Sequence, residues 1–320
     1  MIGNSRWRWW RSSLLAATTS LLLAQTGCSV KQMAMNMISD ALSGEGGTVF
    51  TGDDDPELIG DALPFALKMY ESLLESNPNH APLLLATGKA FTLYAYAYVQ
   101  FPADTLPDEA GQEQARARKR AKKLFLRGRD YILRALDVRN PGFSQAILSG
   151  SVDSALVKVT PRDTSYLYWA GMAWMGGITA NKFDLGMMMA MPRAMGLIHK
   201  AFQFNPTFGR GSLHEFYVSY FASMPASMGG SEEKARAHFD QAIKLAGGLK
   251  AGPYVSLASS ISVKKQDRAE FEHLLGSALA IDVNASKEDR LANLLAQQKA
   301  RWMLDHVDRF FLSDSLETEN

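Results

Sequence analysis

The stretch AMGLIHKAFQFNP, residues 194–206, sets Ala194, Ile198, Ala201 and Pro206 at steps of four, three and five. The first two steps return to one face of an α-helix, and the third reaches a position where a helix stops. Three other stretches carry the same steps: Ala66, Tyr70, Leu73 and Pro78; Ala235, Phe239, Ala242 and Gly247; and Phe271, Leu275, Ala278 and Val283. A small residue lets a neighbouring helix approach, and the bulky residue one turn on fills the gap above it. Pro or Gly then ends the helix so that the next can turn back. The four sets predict second helices of helix-turn-helix repeats, and therefore an all-α chain.

A second mark accompanies the first. Ten residues after Pro78 comes Gly88 with Phe91 behind it, and ten after Pro161 comes Gly171 with Trp174 behind it. This Gly and aromatic pair is the mark of a tetratricopeptide-type first helix. The intervals are uneven: 41 residues from Pro206 to Gly247, 36 from Gly247 to Val283, and larger insertions between Pro78 and Pro206. The expected fold is an all-α, tetratricopeptide-like helical repeat solenoid with degenerate repeats and insertions.

The beginning of the chain points to export. Arg6, Arg8 and Arg11 precede an apolar run from Leu14 to Ala24, too short for a comfortable membrane span and laid out as a secretory signal. Gln25, Thr26 and Gly27 then lead to Cys28, the only cysteine. A small residue before a lone cysteine predicts lipoprotein processing, with Cys28 as the acylated first residue. Gln25 stands where an aliphatic residue is usual, which leaves ordinary signal-peptide cleavage or a retained anchor as alternatives. Ser29 follows instead of Asp, which for such lipoproteins favours the periplasmic face of the outer membrane. The expected organisation is a signal peptide over 1–28, a glycine-rich tether over 29–52, and one helical repeat domain over 53–320.

With 34 basic and 33 acidic residues the chain is nearly neutral, so net charge gives no push toward nucleic acid. Hydrophobic residues make up 47% of it, ample for one continuous core. Asp55, Pro56 and Glu57 read as the start of a helix running to about Ser76, followed by a second from Ala81 to about Gln100. His214 and Glu215 open no zinc site, because Val218 stands where the second histidine would be needed. The six histidines are scattered, with no metal-ligand spacing. No Gly-x-Ser-x-Gly, phosphate-binding loop or Cys-His pair is present. Neither an enzyme nor a metal or cofactor is expected.

Two groups of residues are candidates for binding. The segment from Arg116 to Arg129 holds eight basic residues and no acidic one, with Arg116, Arg120, Lys123 and Arg127 on one helical face. It is either a solvated face or a docking stripe for an acidic protein partner or anionic lipid head groups. The aromatic residues Tyr94, Tyr98, Trp169, Trp174, Phe216, Tyr217 and Tyr254 either pack in the core or form the wall of an apolar cavity, and are the candidates for such a wall. Met187, Met188, Met189, Met191 and Met195 add adaptable apolar surface nearby.

Five stretches carry a family resemblance: LPFALKMYESLLESNPNHAPLLLATGKAFTLYAYAYVQ, LHEFYVSYFASMP, EKARAHFDQAIKLAGGLKAGPYVSLA, DRAEFEHLLGSALAID and RLANLLAQQKARWML. The chain resembles the T component associated with tripartite ATP-independent periplasmic (TRAP) transporters, the TatT family, over about Thr51 to Leu312. The segment Gly247 to Tyr254 and the His-Glu-Phe helix are its most specific marks. The resemblance implies a periplasmic lipoprotein of tetratricopeptide-like helices that associates with the extracytoplasmic substrate-binding protein of such a transporter. It further implies self-assembly, as a trimer, and a cavity or pore passing a small apolar or carboxylate ligand. No catalytic residues come with it. The competing expectation is an outer-membrane tetratricopeptide lipoprotein that scaffolds envelope protein assembly without a ligand.

Overall fold

The computed structural model describes residues 49–181 and 184–312. The signal peptide, Cys28 and most of the tether lie outside the described residues. Among the described residues all regular structure is helical, with no strand.

Helix α1, Pro56–Ser76, starts as its sequence dictates: the Asp55 carboxylate accepts from Leu58 N at 2.9 Å and Pro56 occupies the first turn. Helix α2, Ala81–Ala95, continues through a π turn at Tyr96–Gln100 into the short α3, Phe101–Thr105. The long α4, Gly111–Arg139, is followed by two short helices, α5 (Phe143–Ser149) and α6 (Val152–Leu156). Next come α7 (Thr164–Thr179), the single turn α8 (Leu185–Met188), and α9 (Met191–Phe204). The last third contains α10 (Phe208–Ser223), α11 (Glu232–Ala246) and α12 (Gly252–Leu257). A second π turn at Ala258–Ser262 leads to α13 (Val263–Lys265), then α14 (Arg268–Leu279) and α15 (Arg290–Asp305).

The spaced residues of the sequence lie in the core. Ala194, Ile198, Ala201, Ala235, Phe271, Leu275 and Ala278 are fully buried and Ala66, Tyr70 and Ala242 nearly so, while Leu73 and Phe239 are partly buried against the core. The glycines explain how closely the helices come together. A Cβ on Gly171 of α7 would lie 2.4 Å from Ile198 Cγ1 of α9, and one on Gly88 of α2 would lie 2.3 Å from Ile132 Cγ1 and 2.6 Å from the Gly128 carbonyl of α4. Helix α4 thus carries a fifth set with the same steps, Gly128, Ile132, Ala135 and Asn140, which the basic residues between them hide.

Helix packing follows chain order: α2 on α4, α4 on α7, α7 on α9, α10 on α11, α12 on α14, and α14 on α15. The last helix then meets the first, with α15 against α1. Leu291 N donates to Thr51 O at 2.9 Å, Arg290 donates to Gly52 O at 3.0 Å, and Arg309 bridges to Asp108 at 2.7 Å. The helical array closes on itself.

Candidate ligand-facing interior

Closure gives the first helices a common inside. On α2 the residues that keep accessible surface are Pro82, Ala86, Lys89, Ala90, Leu93 and Tyr94; Pro82, Ala86, Lys89 and Leu93 share one face, which Tyr96 of the π turn extends. Lys89 Nζ lies 5.5 Å from the ring of Trp169 on α7, and Trp169 meets Tyr168 edge to face at 5.2 Å. Tyr168 in turn packs on Phe208 at 5.0 Å and hydrogen-bonds with Ser212 at the start of α10. One turn on is Glu215, within electrostatic reach of Lys250 and of Lys299 on α15. Lys299 shares a cavity with Tyr96, the first residue of the π turn that continues α2. The chain of neighbours returns to the helix where it began.

Glu215 is the most telling member. It is enclosed at depth by protein, yet part of its surface stays accessible, as expected for a side chain on an internal wall. Among the described residues its carboxylate has no hydrogen-bond or ion-pair partner within bonding distance. Desolvation pushes its pKa up and Asp289 adds to the rise, while Lys250 and Lys299 oppose it. Room for the carboxylate comes from Gly252, where a Cβ would sit 2.3 Å from Glu215 Oε1. Sequence reading passed over Glu215 after dismissing it as a zincin residue. Only the fold shows it without a hydrogen bond or ion pair among the described residues.

The seven aromatic candidates do not form one wall. Trp169 and Phe216 keep accessible surface beside the interior circuit. Trp174, 1% exposed, and Tyr217, 5% exposed, face the core instead. Trp174 packs under the Arg129 guanidinium at 4.7 Å, and burial pushes the Tyr217 hydroxyl up to about 12. Tyr94, near the end of α2, and Tyr98, in the π turn that follows, stack at 5.9 Å. Tyr98 acts as a clamp: its hydroxyl donates to Pro56 O at 2.8 Å, and its ring covers Gly60 of α1. Tyr254 meets Phe239 edge to face at 5.4 Å, between α12 and α11.

The basic stripe is also divided. Arg127 lies over Phe91 at 4.9 Å and pairs with Glu71, a buried carboxylate that also accepts from Lys68 at 2.6 Å and Tyr131 at 2.8 Å. Arg120 lies over Tyr94 at 5.6 Å, Arg118 pairs with Asp104, and Lys122 pairs with Asp184. Arg116, Lys119 and Lys123 are exposed and form no ion pair among the described residues. Part of the stripe builds the protein, and part is left for solvent or a partner.

A second histidine arrangement appears only in the fold. His214 of α10 and His238 of α11 share a 2.9 Å contact between their Nδ1 atoms, inside a box of Phe202, Tyr217 and Phe221. Burial lowers both, and His238, beside His214, falls to about 4. No sequence spacing pairs residues on separate helices.

The family model of the TRAP transporter T-component matches residues 52–311. The chain belongs to the TRAP transporter T-component family. The match spans the closed array from the strand of backbone that α15 holds at Gly52 to Phe311. This chain is also similar to an uncharacterized protein of Treponema pallidum (strain Nichols), 31% identical over 318 residues, covering 94% of this chain and 98% of that one. Membership makes the chain an accessory of a TRAP transporter, working in the cell envelope. None of its described helices is long and apolar enough to cross a membrane.

Proposed function

We propose that this T-component is a periplasmic lipoprotein that holds the extracytoplasmic substrate-binding protein of its transporter and passes a small apolar or carboxylate ligand through its interior. The observation that carries the reading is the inner circuit itself. An isolated solenoid presents an open concave face, whereas here α15 comes back to α1, with Glu215 deep in the protein and Trp169 and Phe216 partly accessible. A scaffold for proteins would gain nothing from enclosing a charged side chain away from bulk water.

In this reading residues 1–28 direct export, Cys28 carries the lipid at the periplasmic face of the outer membrane, and 29–52 tether one domain of degenerate tetratricopeptide-like units over 53–320. The docking surface is the exposed part of α4, Arg116 and Lys123, with Arg120 and Arg127 at its inner edge. The chain assembles as a trimer. Crosslinking in intact cells, followed by mass spectrometry of captured peptides, tests the partner. A substrate-binding protein joined to this chain is the expected result. Capture of envelope-assembly proteins in its place would replace the transport reading with the scaffold reading.

A further inference from the structure

Among the described residues, α1 carries the spacing of a second helix with no helix ahead of it. The other four sets lie on α4, α9, α11 and α14, and each of these packs on the first helix of its unit: α2, α7, α10 and α12. One flank of α1 is correspondingly bare. Leu58 is 57% exposed and Phe65 75%, with Ala62 exposed between them. Steps of four and three put the three on one helical face, which the partly buried Met69 continues. Leu73 of the spaced set, also partly buried, borders that face on the core side, and Glu57, Asp61 and Lys68 border it on the other.

The chain itself supplies a matching partner. Residues 29–48 lie outside the described residues, and their sequence sets Val30, Met33, Met37, Ile38, Ala41 and Leu42 at steps of three, four, one, three and one, the period of a helical face. Gln32, Asn36, Ser39 and Ser43 fall on the opposite side. No Gly or Pro interrupts 29–43, and Gly44, Gly46 and Gly47 then end the run. A helix from Val30 to Leu42 would span about 18 Å, and α1 from Leu58 to Met69 spans about 17 Å. The chain enters α1 through Thr51 and Gly52, which α15 holds, so residues 43–50 have only to turn it back. Eight residues reach up to about 26 Å, enough for that turn.

So short a helix does not persist alone in water and has to bury its apolar face. A lipid surface would call for Lys or Arg along the polar face. Here Lys31 is the one basic residue of 29–43, against Asp40, and the polar face is neutral amides and hydroxyls.

We propose that residues 30–42 form a helix docked antiparallel on the Leu58, Ala62 and Phe65 flank of α1, supplying the first helix that this unit lacks. Leu42 then falls near Leu58, Ile38 near Ala62, and Val30 near Met69. Much of the tether over 29–52 becomes part of the fold. Cys28 is brought beside the last turns of α1, so the body meets its anchor at a fixed side and at short range. The inference needs neither the transport partner nor acylation of Cys28.

The test uses the purified chain from residue 28 onward, with Cys28→Ser removing the only cysteine. Ile38→Cys with Ala62→Cys should join within one chain under a short bis-maleimide, read by mass spectrometry. The reaction should be roughly tenfold faster than for Ser39→Cys with Ala62→Cys, because Ser39 lies on the polar side. Hydrogen exchange should find the amides of 34–42 slowed roughly a hundredfold relative to the free peptide. Phe65→Glu should return them to within a few-fold of the peptide while α1 keeps its own protection, and Met37→Glu should do the same from the other side. Val157→Glu, at another exposed apolar residue, should change nothing. Peptide-like exchange of 34–42 in the wild type, or protection that survives Phe65→Glu, would overturn the inference. Links between chains in place of links within one would give the flank to a second copy, and protection seen only on phosphatidylglycerol vesicles would give the segment to the membrane; either result overturns it as well. No partner protein takes part, so these results are separable from failure of the crosslinking experiment in cells.

Discussion

The junctions among α2, α4, α7 and α9 are made by shape, and the junction that begins α10 is made by charge. In the first region, Gly88 and Gly128 face each other, and Gly171 accepts Ile198. In the second, the chain runs through three successive left-handed residues, Gly209 (φ 59°), Arg210 (φ 52°) and Gly211 (φ 93°). Arg210 fixes this turn by donating to Asp289 at 2.6 Å, Ser286 at 3.0 Å and the Ala246 carbonyl at 2.8 Å, while Lys250 donates to Gly209 O at 2.5 Å. The turn re-aims the chain so that Glu215 reaches the interior. Close packing builds the frame, and a polar staple sets the start of the helix that carries Glu215.

The sharpest way to break this contrast is at Gly88. Gly88→Ala drives a Cβ into the backbone oxygen of Gly128 as well as into Ile132, and should cost about 3 kcal/mol in urea unfolding. Gly171→Ala meets chiefly the Ile198 side chain, with the Ala194 carbonyl a looser 3.2 Å away. The two sites should therefore differ in a double-mutant cycle: Ile198→Ala should relieve Gly171→Ala, and Ile132→Ala should leave most of the Gly88→Ala cost. Equal rescue at both sites would mean that the helices slide apart readily, and that shape does not fix their approach.

The staple should yield less. Arg210→Ala removes three hydrogen bonds but keeps a left-handed non-glycine residue, and should cost about 2 kcal/mol. Arg210→Gly loses the same bonds while relieving the backbone, so it should cost about 1 kcal/mol less. If the two variants unfold alike, the strain at Arg210 is not what the staple holds.

How much could be read from sequence follows the same division. The sets built on Ala194 and Phe271 pointed to core positions because a helix repeats its face every few residues. The fifth set, in α4, escaped notice because Arg127, Arg129 and Arg134 crowd Gly128 and Ile132. Asp55 and Pro56 announced α1 because capping is local. The staple joins Arg210 to Asp289, and the histidine pair joins separate helices, so neither has a local signature. Of the aromatic candidates, residue type alone could not tell Trp169, beside the interior, from Trp174, in the core: both lie on α7, five residues apart. That Glu215 forms no hydrogen bond or ion pair among the described residues depends on what the other charges have found, which only a fold decides.

The histidine pair adds a pH dependence at the charge-built junction. His238 titrates near 4 when folded and near 6.5 when unfolded, so the unfolded chain binds more protons in between. Its contribution is present above pH 6.5 and is lost as pH falls toward 4. With part of the ring reached by water, the loss should be about 1 to 2 kcal/mol, read as a fall in the urea midpoint from pH 7 to pH 4.5. Replacing both His214 and His238 by Phe should flatten that slope. A slope unchanged in the double variant would assign the acid sensitivity to carboxylates such as Asp163 and Glu71, which are also held below their usual range.

The smallest effect on stability should come from the exposed end of α4, and there the comparison becomes one between charge that folds the chain and charge that does not. Arg127→Ala deprives the buried Glu71 of a counter-charge and uncovers Phe91, so it should destabilise by about 1 kcal/mol. Arg116→Glu with Lys123→Glu touches no ion pair among the described residues, so stability should move by less than about 0.5 kcal/mol. If the proposed docking is right, the double reversal should slow association with the substrate-binding protein several-fold at low salt and flatten its salt dependence, because exposed charges act through steering. Arg127→Ala should leave that salt slope largely intact. Should the double reversal associate as fast as wild type at every salt concentration, this end of α4 is a solvated face, and the partner must be sought on the rim of the inner circuit.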